Sequence, residues 1–220
     1  MATGSSATSS TAAMISAAEQ LVAERGLGAV SMRMVGEAAG QRNHSAVQFH
    51  FGSWEGLLQS IAADRMGPIN QERLAMLERL DREDRRADVR GLVEALVVPL
   101  SNATIRRPGS FYARFLAVSY ADPQWSSAVR RTAQGAAFDG WRDHLERALP
   151  ELPIRVRQVR VDHAVSMVIG ALARWEGGLG KRGLGHDALL VDLIDTTVAF
   201  LVAPSSLAHA ASTGLGAKRS

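Results

Sequence analysis

Within roughly 40 residues after Thr11, the sequence ends one helical pattern, opens and closes a second, and begins a third. Met14, Ala18, Leu21, Val22 and Arg25 recur at helical spacing ahead of Gly26, a good helix terminator. Ser31 offers an N-cap oxygen to a second helix, with Val35 and Ala38 on its inner face and Gly40 at its end. Asn43 starts a third helix that runs to about Phe49. Ser53 then caps a long fourth helix, and Glu55 in its first turn complements the macrodipole. Three helices this short in sequence have the spacing of a helix-turn-helix module.

Beyond Asp64 the helical patterns lengthen. Arg65 to Arg85 continues the fourth helix as a charged, partly solvated rod with a candidate break at Gly67-Pro68. Val89 to Ile105, Phe111 to Tyr120 and Trp125 to Leu149 follow, separated by Arg107-Pro108-Gly109, Asp122-Pro123 and Pro150 with Pro153. The last two helices, Val156 to Trp175 and His186 to Val202, are the most apolar. Strand alternation and internal repeats are both absent from the sequence. The expected fold class is all-α: an N-terminal three-helix helix-turn-helix module and a larger helical domain. Its expected divisions are a disordered tail at 1–11, the helix-turn-helix module at 12–58, the helical domain at 59–204 and a flexible tail at 205–220.

Composition narrows the chemistry. The chain has no cysteine, which removes disulfides, thiolate metal sites and cysteine nucleophiles and suits a reducing cytoplasm, the expected location. Met1 to Thr11 lacks the basic start and apolar run of a secretory signal, and Asp192, Asp195, Arg174 and Glu176 interrupt the apolar segments, so no membrane span is expected. Gly178-Leu179-Gly180-Lys181-Arg182-Gly183 has dinucleotide-fingerprint spacing, but it follows a helix and has no sheet after it; a connecting loop is the expectation. The histidines show no metal-ligand spacing and no local Ser/His/Asp set occurs. No catalytic residue, metal or cofactor is therefore expected.

Three segments carry a resemblance to a known family. Ala17 to Gly26 resembles the first helix of the tetracycline-repressor-like (TetR) family, and Ser31 to Gly40 its second helix and turn. Val47-Gln48-Phe49-His50-Phe51-Gly52-Ser53-Trp54-Glu55-Gly56-Leu57-Leu58 resembles the end of the recognition helix and the start of helix four. The resemblance implies a ligand-responsive, sequence-specific transcriptional regulator, a repressor released from double-stranded operator DNA by a small, mainly apolar effector. Against the family pattern, the turn Gln41-Arg42-Asn43 is one residue longer, Gln48 replaces a common phosphate-binding tyrosine, and Trp54 replaces a frequent lysine. From Met1 to Ser60 the cations Arg25, Arg33 and Arg42 face Glu19, Glu24, Glu37 and Glu55, a near-neutral balance for a DNA-binding unit. That balance supports the alternative of a helical small-molecule-binding or scaffolding protein without DNA binding.

In a helix-turn-helix the second helix of the motif enters the major groove. Asn43 is suited to cap that helix, and His44, Ser45 and Gln48 fall on one face, with Gln48 able to pair with adenine. Ala46, Val47 and Phe49 are expected to pack against the first two helices. Ser31, Arg33, Arg42 and His50 are placed to hold phosphates. His50 fits a hydrogen bond across the turn equally well. Trp54 fits either the sugar-phosphate backbone or packing beneath the module.

In the second domain, Val156, Val159, His163, Met167, Gly170 and Ala173 form one stripe, and Leu189, Leu190, Leu193, Ile194, Val198 and Leu201 form another. The resemblance implies that Val156–Trp175 and Leu189–Val202 meet their symmetry mates as a four-helix homodimer interface. An intramolecular core is the competing reading of each stripe. Phe111, Phe115, Phe138, Trp141, His163 and Met167 gather aromatic and soft side chains and are the candidate effector site, with plain core the alternative for each. Arg114 is a candidate partner for an acidic ligand or a solvated residue.

Overall fold

In the computed structural model, residues 4–41, 43, 45–122, 126–178 and 185–206 are described, and among them nine α-helices and no strand occur. They are α1 (Gly4–Arg25), α2 (Met32–Ala38), α3 (Ala46–Phe51), α4 (Trp54–Arg82), α5 (Val89–Ala103), α6 (Tyr112–Ala121), α7 (Ser126–Arg147), α8 (Ile154–Glu176) and α9 (His186–Val202). The helix α1 begins at Gly4, ahead of the Thr11 start that the periodicity predicts. The glycine-rich 179–184 segment and the tail from 207 lie outside the described residues.

Helices α1 to α3 close over the start of α4. Met14, Ala18, Val22, Val35, Val47, Leu57 and Leu58 are all buried there. Each connection has a local cause. The Ser31 hydroxyl accepts the Met34 N–H at 3.3 Å, and the Ser53 hydroxyl accepts the Gly56 N–H at 3.0 Å, as the N-cap readings require. Gly56 itself has no alternative: a Cβ there would lie 2.2 Å from the Phe51 carbonyl oxygen. The chain can therefore turn from α3 into α4 within two residues only because position 56 lacks a side chain.

The helix α4 runs unbroken through Pro68, contrary to the expected break. Pro68 and Asp64, whose carbonyl the proline leaves open, are both on the solvent side, so the orphan group is not sealed in the core. Proline in α5 has a different consequence. Pro99 frees the carbonyl of Ala95 inside the core, and Arg73 of α4 donates its Nε–H to that oxygen at 3.2 Å.

The second domain packs α4, α7, α8 and α9 against α5, whose Leu92, Val93, Ala95, Leu96, Val97 and Leu100 are buried, and sets α6 against α7 and α8. Two side chains close helix ends across the domain. Glu176 at the end of α8 accepts the Ala113 and Arg114 N–H groups of α6 at 3.3 and 2.9 Å, favourable for an anion at a helix N-terminus. Arg160 of α8 donates to the Leu201 carbonyl at 2.9 Å and to the Ala203 and Pro204 carbonyls at the end of α9. In α7 the helix is interrupted at Gly135, whose φ of 50° and ψ of 172° are not helical.

Candidate functional site

The face presented by α3 is built from residues that the short helix cannot bury. Val47 is fully buried and Ala46 packs against the core, so Ser45, Gln48 and Phe49 turn outward together. Phe49, expected to pack inward, is 86% exposed. It lies two residues after Val47, about 200° further round the helix, and both cannot face the core. Its ring meets the His50 ring edge-on at a centroid distance of 5.6 Å. Apart from spacing, no sequence signal separates Phe49 from a core residue.

The other candidate contacts surround this face. Asn43 does not cap α3, which begins at Ala46; its side-chain oxygen accepts the Ser45 N–H at 2.9 Å and closes the preceding turn. Gln48 is exposed, and its amide donates to the Gly52 carbonyl at 2.6 Å. A net exposed hydrogen bond of this kind is worth about 0.5–1.5 kcal/mol, which a base edge can readily replace. Ser31 is exposed at the start of α2, where Arg33 pairs with Glu37 at 2.8 Å. His50 is exposed, whereas Trp54 is half-buried and packs against the core. Arg42 and His44 lie outside the described residues.

The structure does not bring the six candidate effector residues to one place. Phe138 lines a small cavity with Met66, Leu96, Leu116 and Val165. Phe115 and Trp141 are fully buried: Phe115 stacks on Tyr112 at 5.9 Å, and Trp141, its ring 5.0 Å from that of Phe138, donates its Nε1–H to the Leu92 carbonyl at 2.7 Å. Phe111 is half-buried under the Arg114 guanidinium, 4.6 Å away, and borders an open cleft of about 590 Å³ between α1 and the loop before α6. His163 is exposed and Met167 half-buried on the outer side of α8, because Val161, Ala164, Val165 and Val168 take the inner side. Arg114 is neither free nor fully solvated; it faces Glu176 at 3.8 Å.

The two apolar stripes also part ways. On α8, Val159 is 51% exposed and continues through His163, Met167 and Gly170 as a surface. On α9, Leu190, Leu193, Ile194 and Leu201 are buried within the protomer, and the outward apolar residues are instead Val191 and Val202.

Arg73 is the functional candidate that sequence reading missed. It is 1% exposed and lines the cavity beside Phe138, with its guanidinium carbon 5.4 Å from that ring centroid. Burial lowers its pKa to about 10, which leaves it cationic at neutral pH. The signal was present in α4: Met66, Ile69, Leu77 and Leu80 are spaced as an inward stripe, and Arg73 occupies the gap in it.

Comparison with known families gives two matches. The model for bacterial regulatory proteins of the tetR family matches residues 14–61, and that for the tetracyclin repressor-like C-terminal domain matches residues 94–203. A TetR family transcription regulator from Marinobacter aquaeolei VT8 is 16% identical with a TM-score of 0.57, over 88% of this chain and 95% of that one. A HlyIIR mutant with a segment substituted by alanine is 14% identical with a TM-score of 0.57, over 93% of this chain and 100% of that one. At these identities the likeness is one of fold. Comparison with curated proteins finds no match.

Proposed function

Because this chain belongs to the TetR family and is a DNA-binding transcriptional regulator, we propose that it acts as a dimeric repressor released from its operator by a small molecule. The observation that carries the DNA-binding part is the outward face of Ser45, Gln48 and Phe49 on α3, backed by Ser31 and Arg33 at the start of α2. In this reading Gln48 reads a base edge, Phe49 packs on a thymine methyl or a sugar, and Ser31, Arg33, Asn43 and His50 hold the backbone. Arg42 and His44 belong to the same proposed set. Trp54 supports the module from below.

The partner copy docks on the outer side of α8. Val159, His163, Met167 and Gly170 leave an apolar strip that the protomer does not cover, and Phe200 of α9 extends it, its ring 6.4 Å from that of His163. A two-fold axis through such a strip sets the two recognition helices apart by a fixed distance. Helix α4 supplies the lever: its first turn abuts α3, and its middle lines the cavity beside Arg73. A ligand that favours a different α4 setting lowers operator affinity, and operator DNA lowers ligand affinity by the same factor.

A gel shift with the DNA flanking the chain's own gene, followed by selection from a random duplex library, tests the reading. The expected result is a palindromic site bound by two protomers, with affinity falling steeply as salt rises. Binding to every duplex equally, or to none, sinks it in favour of a helical binding protein without DNA recognition.

A further inference from the structure

The guanidinium of Arg73 is buried among apolar residues, and among the described residues it pairs with no carboxylate. Among the described residues its hydrogen bonds go to the Ala95 carbonyl and to the Asn70 side-chain oxygen, both neutral acceptors. One neutral N–H would suffice for the carbonyl that Pro99 leaves open, and the Phe138 ring 5.4 Å away offers the positive charge only a weak cation–π contact, not a counterion. Leaving a cation unpaired in the interior is costly, and such charges are ordinarily paired. Two buried hydroxyls on α6 also stand without partners among the described residues. Tyr112 and Ser119 are fully buried on the face of α6 that carries the cavity-lining Leu116, and among the described residues neither hydroxyl has a partner.

We propose that the effector is an apolar molecule ending in a single carboxylate, with Arg73 as its counterion in the cavity between α4, α5, α6, α7 and α8. The apolar body fits walls such as Leu96, Leu116, Phe138 and Ile169. A monoanion balances the one guanidinium, whereas a phosphate dianion would leave a second charge buried. The inference deepens the effector reading above and rests on it.

As it stands the cavity holds about 20 Å³, room for one water, so the ligand must part its walls. The break in α7 at Gly135 lies where this can happen. A Cβ on Gly135 would sit 3.7 Å from the Asn70 side chain that accepts from Arg73, and Phe138 follows one turn later. Opening there moves α7 against the middle of α4, the helix that leads to α3.

The test compares straight-chain and aryl-alkyl carboxylates with the primary alcohols of the same skeletons, using the full chain and its tryptophan fluorescence. Acids should bind on the order of ten- to a hundred-fold tighter than their alcohols, the range for a charge-assisted hydrogen bond. Arg73→Met should abolish that preference, bringing each acid to the affinity of its alcohol, and Arg73→Lys should keep part of it. Equal binding of acid and alcohol by the unaltered chain overturns the proposal, whether or not the variants fold. So does a preference that survives in Arg73→Met, or binding of neither series at millimolar concentration. Operator release is read separately. Release by alcohols alone leaves the effector reading standing and removes the anion. An Arg73-dependent acid preference with unchanged operator affinity keeps the site and removes the repressor reading.

Discussion

Glu19 on α1 accepts the Nε–H of Arg65 on α4 at 2.7 Å with one carboxylate oxygen, and the Phe111 N–H ahead of α6 at 3.2 Å with the other. Both side chains are largely buried, 4% and 14% exposed, so the contact is shielded from solvent. One carboxylate thus ties the first helix of the DNA-binding module both to the lever helix and to the helix that flanks the Arg73 cavity. Glu19→Ala leaves the Arg65 guanidinium and the Phe111 N–H without that acceptor. The expected cost in urea unfolding lies below the roughly 3–5 kcal/mol of a buried charge left alone, because Asp64 stays 3.3 Å from Arg65, with Glu19→Gln losing less still. A Glu19→Ala chain as stable as the parent would show the contact to be incidental.

Dimerisation separates two apolar helices, the valine-rich α8 and the leucine-rich α9. Val159→Glu is expected to give a folded monomer by sedimentation, since Val159 is half-exposed in the protomer. Leu193→Glu is expected to unfold the chain instead, because Leu193 is 5% exposed inside it. A Val159→Glu chain that still sediments as a dimer places the contact elsewhere.

Operator recognition should divide by residue. Phe49→Ala is expected to weaken operator binding while leaving stability within about 0.5 kcal/mol, as at other exposed positions. Gln48→Ala should cost about 1–3 kcal/mol at one base position per half-site and relax preference there. Arg33→Ala should weaken all sequences evenly and flatten the salt dependence. Unchanged base preference after Gln48→Ala would remove it from the reading face.

Alkaline titration reports on the α6 face. The chain has two tyrosines, and burial holds the Tyr112 hydroxyl well above the ordinary phenol range. A raised folded pKa adds stability that is complete below the unfolded value near 10 and is lost as pH rises beyond it. Phenolate absorbance is therefore expected to rise in two stages, the second coinciding with unfolding. Tyr112→Phe should remove that second stage. A single stage in the native chain would mean that water reaches the hydroxyl.

Helix positions were legible locally. The N-cap oxygens of Ser31 and Ser53 and the apolar spacing of α1, α5 and α8 depend on near neighbours in the chain, and the all-α architecture and helix-turn-helix module follow from them. Even the failed break at Pro68 had a local signal, since Asp64 and Pro68 belong to the polar side of α4. What local spacing could not decide was which way a two-sided helix faces. On α8 the stripe of Val159 and Met167 was as apolar as a core needs, yet the opposite stripe of Val161, Val165 and Val168 went inside. That choice depends on which neighbouring helices offer a matching surface, and those come from distant parts of the chain. Arg73 is the sharpest case. Its own helix marks it as an inward position, but its burial depends on a carbonyl 22 residues away that a proline has left open. The cavity around that charge exists only once five helices have closed over it, because no single segment carries more than one wall.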